Sequence, residues 1–200
     1  MTTYGEDYTR YQLDRGALRR WVRHCYLESA LGQLHGPTVD FGCGVGELLR
    51  RLPRGSVGLE INPASVAHCR SLGLDARSYD ANDDDWSLRV LDENDGLESF
   101  VVSHVLEHLD APAEKLRKLL LACGRLGIRS VLAVVPGEKG YRSDDTHRTF
   151  VDIEALSDPG IVEGTGFVLA ASRYFPGNFR QVGRFFTHHE LQVTFTRAVP

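Results

Sequence analysis

The sequence lacks the features that mark several classes of protein. Its four cysteines are scattered singly, without a Cys-x-x-Cys pair, so we expect reduced thiols in a cytosolic protein. No apolar run is long enough to span a membrane, and the polar, acidic first eight residues do not resemble a signal peptide. The net charge of -4 gives no general attraction to nucleic acid or acidic lipid. We therefore expect a cytoplasmic protein that does not bind membranes.

What is present fits one globular domain. The chain has 200 residues, of which 42% are hydrophobic and 25% charged, and it contains no repeat or low-complexity linker. This length can bury a core of three layers. We predict an N-terminal arm and helix in residues 1–34, either part of the domain or a lid on it, and the main domain in residues 35–200.

Residues 39–46, V-D-F-G-C-G-V-G, are the stretch around which the chain is organised. Val39 and Phe41 favour a buried strand, and the three glycines that follow allow sharp bends or a close approach to a ligand. The leucines just beyond the glycines have helical spacing. A strand, a glycine turn and a helix start together form a common cradle for nucleotides and cofactors.

Further strands and helices alternate along the chain. Strands are predicted near residues 56–60, 76–79, 100–103, 130–135, 166–173 and 191–197, and helices near residues 13–34, 62–72, 113–126 and 152–157. Alternation of this kind favours a parallel sheet covered on both faces. No helix is indicated between the last two strands, which predicts an antiparallel pair. The fold class is therefore a doubly wound α/β fold.

The glycine turn does not fit the two commonest phosphate-binding loops. Glu47 would repel a pyrophosphate at the start of a helix, and no Gly-Lys-Ser/Thr follows. These features argue against a nucleotide-dependent oxidoreductase and a P-loop. Asp40 instead suggests a ligand with a cationic group. Glu60, at the end of the next strand, is placed to accept two ribose hydroxyls.

Taken together, D-F-G-C-G-V-G, Glu60, Asp80 and S-H-V-L-E-H-L resemble class I S-adenosylmethionine-dependent methyltransferases, especially the branch that acts on small molecules. The resemblance covers roughly residues 37–157. It implies a Rossmann-like, seven-stranded methyltransferase sheet with a reversed last strand. It also implies S-adenosyl-L-methionine as the cofactor.

The resemblance further implies roles for individual residues. Asp40 would bind the methionine ammonium, Glu60 the ribose hydroxyls, and Asp80 the adenine amino group, while Ser103 and His104 would face the methyl. The complete set of implied cofactor-binding residues is Asp40, Gly42, Gly44, Gly46, Glu60, Ile61, Asp80, Ala81, Ser103 and His104.

Histidines dominate the candidates for the acceptor side. His104, Glu107 and His108 are spaced i, i+3, i+4 and would share one face if that segment were helical. His147 follows the fifth strand, and its loop has the length to return over the same pocket. His104, His108 and His147 are therefore the catalytic candidates, because a base assists methylation of a hydroxyl or a protonated amine.

The same residues resemble, in part, the small-RNA 2′-O-methyltransferases, which bind a divalent ion through a Glu-x-x-Glu-His segment and a distant histidine. Here His104 stands in place of the first glutamate. A set of His104, Glu107, His108 and His147 would favour Zn²⁺ or Mn²⁺ over Mg²⁺. Since V-L-E-H-L is also typical of metal-free enzymes on small molecules, we expect no metal as the first reading.

Aromatic residues supply further candidates for an acceptor pocket. They lie near the N-terminus, at Tyr4, Tyr8, Tyr11 and Trp21, and in a basic loop at residues 174–189. Either group could close over an acceptor. Core packing or a disordered arm would equally explain the N-terminal group, and a hydrophobic flap or a dimer contact would equally explain the loop.

The sequence thus predicts a methyltransferase that acts on the oxygen or nitrogen of a small metabolite, as a monomer or homodimer. Two alternatives stay open. One is metal-assisted 2′-O-methylation of an RNA terminus, although nucleic acid is not the expected partner. The other is a protein of the same fold that binds the cofactor without catalysis.

Overall fold

The computed structural model describes residues 17–198, which form an α/β fold with one central sheet. The predicted N-terminal tyrosines lie outside this range, and so does the side chain of Trp21. The strands are β1 (Thr38–Phe41), β2 (Val57–Glu60), β3 (Ala76–Ser78), β4 (Ser99–Ser103), β5 (Ser130–Pro136), β6 (Phe167–Phe175) and β7 (Glu190–Arg197). The α-helices are α1 (Ala17–Leu31), α2 (Pro63–Ser71), α3 (Pro112–Arg125), α4 (Glu138–Tyr141), α5 (Ile153–Leu156) and α6 (Pro159–Val162).

The strand order is β3-β2-β1-β4-β5-β7-β6, with the first five strands parallel. Strand β7 runs antiparallel to both of its neighbours, β5 and β6. This confirms the predicted doubly wound fold and the seven-stranded sheet with a reversed last strand. The order changes direction between β1 and β4, and open α/β sheets bind their ligands at the carboxyl ends of the strands at such a point.

The core lies on both faces of the sheet. Every residue of β5 is buried, as expected for a central strand that is covered on both sides. One face of α3 is also buried, and it comprises Leu116, Leu119, Leu120 and Cys123. Tyr26, Leu27 and Ala30 of α1 pack against the opposite face, so this helix contributes to the domain core.

Helix α2 begins as the sequence predicts. The Asn62 side chain accepts a hydrogen bond from the backbone N–H of Ala64, and Pro63 occupies the first helical position. Gly73 follows the helix with a φ of 77°, a conformation that favours glycine at this position. The helix therefore starts directly after Glu60 and Ile61 and fixes the end of β2.

The prediction of a helix after the glycine turn is wrong. The chain forms turns and a 3₁₀-helix of only three residues, Leu49–Arg51. Pro53 ends the 3₁₀-helix, because a proline pushes the preceding residue out of the helical region, and Leu52 is extended with a ψ of 156°. The glycine turn is consequently followed by a compact loop without the dipole of a long helix.

The segment after β4 also differs from a regular helix. Only Leu106–His108 are helical, as a 3₁₀ turn, and His104 has a φ of 55°. His104, Glu107 and His108 therefore do not share one face of a regular helix.

The described residues contain no helix that is both long and apolar enough to cross a membrane.

Candidate functional site

The candidate site lies where β1, β2 and β4 end. In the register of the sheet, Asp40 is aligned with Gly58 of β2 and Val101 of β4, so the residues that follow these positions meet at one edge. The glycine turn leaves β1 there, Glu60 ends β2, and Ser103 ends β4. Strand register and the turn after β1 thereby bring six of the predicted cofactor residues to one edge of the sheet, namely Asp40, Gly42, Gly44, Gly46, Glu60 and Ser103.

The glycine turn depends on glycine for two reasons. Gly42, Gly44 and Gly46 have φ values of 74°, 54° and 76°, which side chains rarely adopt. A Cβ on Gly42 would also lie 2.6 Å from Cγ2 of Val105, in the segment after β4. The turn therefore packs directly against the segment that carries the histidines.

Glu60 ties the second strand to the glycine turn. Its carboxylate is buried and accepts hydrogen bonds from the backbone N–H of Gly44 at 2.8 Å and of Asn62 at 2.8 Å. A carboxylate has about four lone-pair directions, so two more donors can be accepted at the same group. Asp40 is buried beneath the turn, with 3% of its surface exposed.

Asp80 and its neighbours follow β3. One oxygen of Asp80, Oδ1, accepts from the backbone N–H and the side-chain amide of Asn82, each at 2.9 Å. The side chain of Ala81 packs into the core, whereas Ile61 is half-exposed beside Glu60. The edge of the site thus carries an apolar side chain and a second carboxylate.

The loop that contains Asp80 is held by Asp84. Its Oδ1 accepts from the Tyr79 hydroxyl at 2.6 Å, and its Oδ2 accepts from the backbone N–H of Arg89 at 2.9 Å. Partial burial would raise the pKa of Asp84, but these hydrogen bonds, together with those from Ser87, lower it below its ordinary value of 3.8. Most of the acidic side chains between Asp80 and Asp95 are exposed, whereas the half-buried Asp84 holds this loop together.

His104 lies between two buried carboxylates. Its Nδ1 is 3.2 Å from Glu107 Oε1, and its Nε2 is 2.8 Å from Glu190 Oε1. Burial alone would lower the pKa of His104, but these two hydrogen bonds outweigh it and raise the pKa to about 10. His104 is therefore an imidazolium at neutral pH, and both of its N–H groups are donated to carboxylates.

His108 and His147 meet beside Glu107. Their ring centroids are 4.7 Å apart, and one ligand atom from each of Glu107, His108 and His147 lies within 4.8 Å of the others. The His147 ring also stacks on Tyr141 at a centroid distance of 5.5 Å. The structure therefore brings together His104, Glu107, His108 and His147, the four residues that the sequence analysis singled out.

Two side chains that contact the candidate histidines were missed by sequence reasoning. Glu190, at the start of β7, holds His104, and Thr146 accepts from His108. Glu190 is buried opposite Pro136 at the carboxyl end of β5. A buried acid at the start of an apolar strand was the available signal, but the partner is 86 residues away along the chain.

The basic, aromatic loop at residues 174–189 joins β6 to β7 on the same edge of the sheet. Phe179 and Phe185 are exposed there. Arg180 pairs with Glu154, and Arg184 lies 3.8 Å from Glu138, so both arginines already face carboxylates. The loop therefore presents aromatic rings rather than a free cluster of positive charge.

Comparison with solved structures shows the fold. An S-adenosylmethionine-dependent methyltransferase from Archaeoglobus fulgidus aligns with 96% of this chain and 100% of its own, at 20% identity and a TM-score of 0.65. The N-methyltransferase NodS of Bradyrhizobium japonicum WM9, in complex with S-adenosyl-L-homocysteine, aligns with 94% of this chain and 92% of its own, at 13% identity and a TM-score of 0.62. The [4+2]-cyclase SpnF covers 88% of this chain and 82% of its own, at 17% identity and a TM-score of 0.58.

No protein-family model matches the chain, and no curated protein matches it. At these identities the structural likeness establishes a class I methyltransferase fold. The presence of a cyclase among proteins of this fold illustrates that the fold alone does not fix the reaction.

Proposed function

We propose that this chain is an S-adenosylmethionine-dependent methyltransferase that methylates the oxygen or nitrogen of a small metabolite. The observation that carries the proposal is the coupling of Glu60 to the glycine turn at the point where the strand order reverses. It places a buried carboxylate, three glycines of positive φ and the buried Asp40 at one edge of the sheet.

The residues fit the cofactor in charge and in hydrogen-bonding capacity. Glu60 retains acceptor directions for a pair of ribose hydroxyls, and Asp40 offers a negative charge for an ammonium group. Asp80 retains its second oxygen for an amino group on adenine, and Ile61 supplies an apolar surface at the rim. When bound, S-adenosylmethionine supplies an electrophilic methyl on its sulfonium.

The protein's own contribution to methyl transfer is chiefly to align donor and acceptor and to exclude water. His104 serves as a positioning residue, because its two N–H groups are held by Glu107 and Glu190 and it has no lone pair for a proton. His108 and His147 are therefore the candidate bases that would remove a proton from the acceptor.

A small acceptor is supported by the charges around the site. The net charge is -4, and the arginines of the 174–189 loop face carboxylates. A nucleic-acid acceptor would require a continuous positive surface. The exposed rings of Phe179 and Phe185 instead suit an organic molecule with an apolar or aromatic part.

Calorimetry with S-adenosyl-L-homocysteine tests the cofactor assignment. We expect one molecule bound per chain, and we expect Glu60→Ala to weaken binding roughly 100-fold, since two hydrogen bonds to a charged group are lost. Glu163→Ala removes an exposed glutamate elsewhere and is the matched control. Equal affinity in the wild type and Glu60→Ala would remove Glu60 from the site.

A second experiment separates an enzyme from a binding protein. S-adenosylmethionine with an isotopically labelled methyl is incubated with the protein and a small-molecule extract, and labelled products are sought by mass spectrometry. We expect label in a compound of low molecular mass. Tight cofactor binding without any labelled product would instead favour a cofactor sensor.

A further inference from the structure

We propose that Gln192 and Arg173 are positioning residues that support the acceptor side of the candidate site from behind. They hold the Glu190 carboxylate and, through it, His104. The proposal rests on a buried amide whose orientation is fixed, on an arginine without an ion pair, and on charges that alternate in sign. The role of these residues toward an acceptor rests on the proposed function, whereas their hold on Glu190 and His104 does not.

The Gln192 side chain is fully buried at the centre of a polar network. It lies on β7 two residues after Glu190, so both side chains project from the same face of the sheet. Three side chains donate to its Oε1, namely the Ser29 hydroxyl at 3.1 Å, the Gln33 amide at 2.8 Å and the Nε–H of Arg173 at 3.0 Å. These partners fix the amide in one position.

The same donors decide which end of the Gln192 amide faces Glu190. An arginine N–H can only donate, so the Gln192 atom beside Arg173 is the oxygen. The amide nitrogen therefore points toward Glu190 Oε2, to which it makes a long hydrogen bond of 3.5 Å. The other oxygen of Glu190, Oε1, is 2.8 Å from Nε2 of His104. Each oxygen of Glu190 thus faces one donor.

Arg173 is a half-buried cation that lies directly opposite Gln192 in the register of β6 and β7. Besides Gln192, its guanidinium donates to the Ser29 hydroxyl at 3.0 Å and to the Ser29 carbonyl oxygen. It forms no ion pair within residues 17–198, although charged side chains removed from water are usually paired. The buried carboxylate that its hydrogen bonds reach is Glu190, one amide away.

The charged groups alternate in sign along this network. In order, they are Arg173, Glu190, His104 and Glu107, and the Gln192 amide joins the first two. His104 alone offsets only one of the two carboxylates, and Arg173 supplies the balancing positive charge from outside. Because neighbouring groups in the row have opposite signs, each one favours the charged form of the next.

The network also joins the first helix to His104. Ser29 lies on α1 and Gln33 lies two residues after its end, and both donate to Gln192. The side-chain oxygen of Gln33 in turn accepts from the Thr194 hydroxyl at 3.1 Å. A displacement of α1 would therefore reach Glu190 through the Gln192 amide.

Gln192→Glu is the sharpest test, because it keeps the shape and the acceptor oxygen but turns the amide donor into a second acceptor that faces Glu190. The measurement is the nitrogen-15 chemical shift of each ring nitrogen of His104 at pH 7, with His104→Gln identifying the signals. We expect the Nε2 resonance to move at least about twice as far as that of Nδ1, because only Nε2 faces Glu190. A role confined to joining α1 to the sheet would leave both resonances in place, since Arg173 would gain an ion pair.

Gln181→Glu is the matched control, because it makes the same chemical change at an exposed position and should move neither resonance. Arg173→Met removes the cation without changing Gln192, and it decides the matter alone if Gln192→Glu does not fold by circular dichroism. We expect it to move the Nε2 resonance of His104 as well, and Arg173→Lys to bring this resonance back toward its wild-type position.

An Nε2 resonance that stays in place in either folded variant, or that moves no further than Nδ1, would overturn the proposal. Calorimetry with S-adenosyl-L-homocysteine on the same samples reports on the proposed function separately. A wild type that does not bind this ligand would refute the proposed function, while the His104 resonances would still test the hold of Gln192 and Arg173 on Glu190.

Discussion

The two halves of the candidate site are built in different ways. The cofactor half is local, since Glu60 bonds Asn62 two residues away and Gly44 sixteen residues away. The acceptor half is assembled from distant segments, since His104 bonds Glu190 across 86 residues and His108 bonds Thr146 across 38. The half of the site that is formed by backbone geometry can be recognised from a short sequence motif. The half that is formed by side chains from distant segments depends on the whole fold.

The two halves also satisfy their buried charges differently. The Glu60 carboxylate accepts hydrogen bonds from the backbone N–H groups of Gly44 and Asn62, so its charge is stabilised by neutral donors. Glu107 and Glu190 share one imidazolium, which leaves the acceptor half with more negative than positive charge. The Glu60 carboxylate is therefore held by neutral donors, whereas Glu107 and Glu190 together carry one more negative charge than the shared imidazolium offsets.

The largest effect is expected in the cofactor half. Gly42→Ala should destabilise the fold by about 2–4 kcal/mol, because it combines a positive φ with an overlap against Val105. Gly73→Ala is the control, since Gly73 has a similar φ of 77° with nothing within 4 Å of its added Cβ, and should cost only about 1 kcal/mol. Urea unfolding measures both, and equal losses would show that the turn does not depend on the contact with Val105.

A slightly smaller effect is expected from the central cation of the acceptor half. His104→Ala leaves two buried carboxylates facing each other and should cost roughly 2–3 kcal/mol, less than for a fully buried pair because a third of the His104 side chain is exposed. Chemical denaturation of chelator-treated protein is the measurement. Adding Glu190→Gln to the variant should restore part of the loss, and a further loss would contradict the shared-cation arrangement.

The smallest effect concerns the loop beside the cofactor half. Asp84→Asn should lower stability at pH 7 by about 1 kcal/mol, because it weakens the hydrogen bonds from Tyr79 and Arg89. The pKa of Asp84 is lowered in the folded protein, so its contribution is present above pH 3.8 and is lost as the pH falls through the folded value.

The difference in stability between wild type and Asp84→Asn should therefore shrink between pH 7 and pH 3. Urea unfolding at a series of pH values measures it. A difference that grows in acid would mean that Asp84 is not held as a carboxylate.

Sequence patterns were sufficient for the fold and for the edge of the sheet at which the predicted cofactor residues meet, for the same reason. Apolar runs such as β5 report burial directly, and Asp40, the glycines and Glu60 sit at strand ends whose register is set by those runs. The helical spacing after the glycines was misleading, since the chain forms turns and a 3₁₀-helix that Pro53 ends at Leu52.

Only some residues of the acceptor half could be predicted from the sequence. The spacing of His104, Glu107 and His108 drew attention to residues that do lie close together, although the helix assumed for them does not form. Glu190 could not be assigned, because nothing in its surroundings along the chain indicates that β7 reverses and places it beside His104. Side chains that meet through tertiary packing leave no periodic signal.

A crystal structure with S-adenosyl-L-homocysteine bound tests the central claim most directly. We predict the two ribose hydroxyls on the Glu60 carboxylate, the amino-acid end near Asp40 and the sulfur on the side of His104. A ligand bound at another edge of the sheet, or a Glu60 that contacts only Gly44 and Asn62 with the ribose elsewhere, would contradict it.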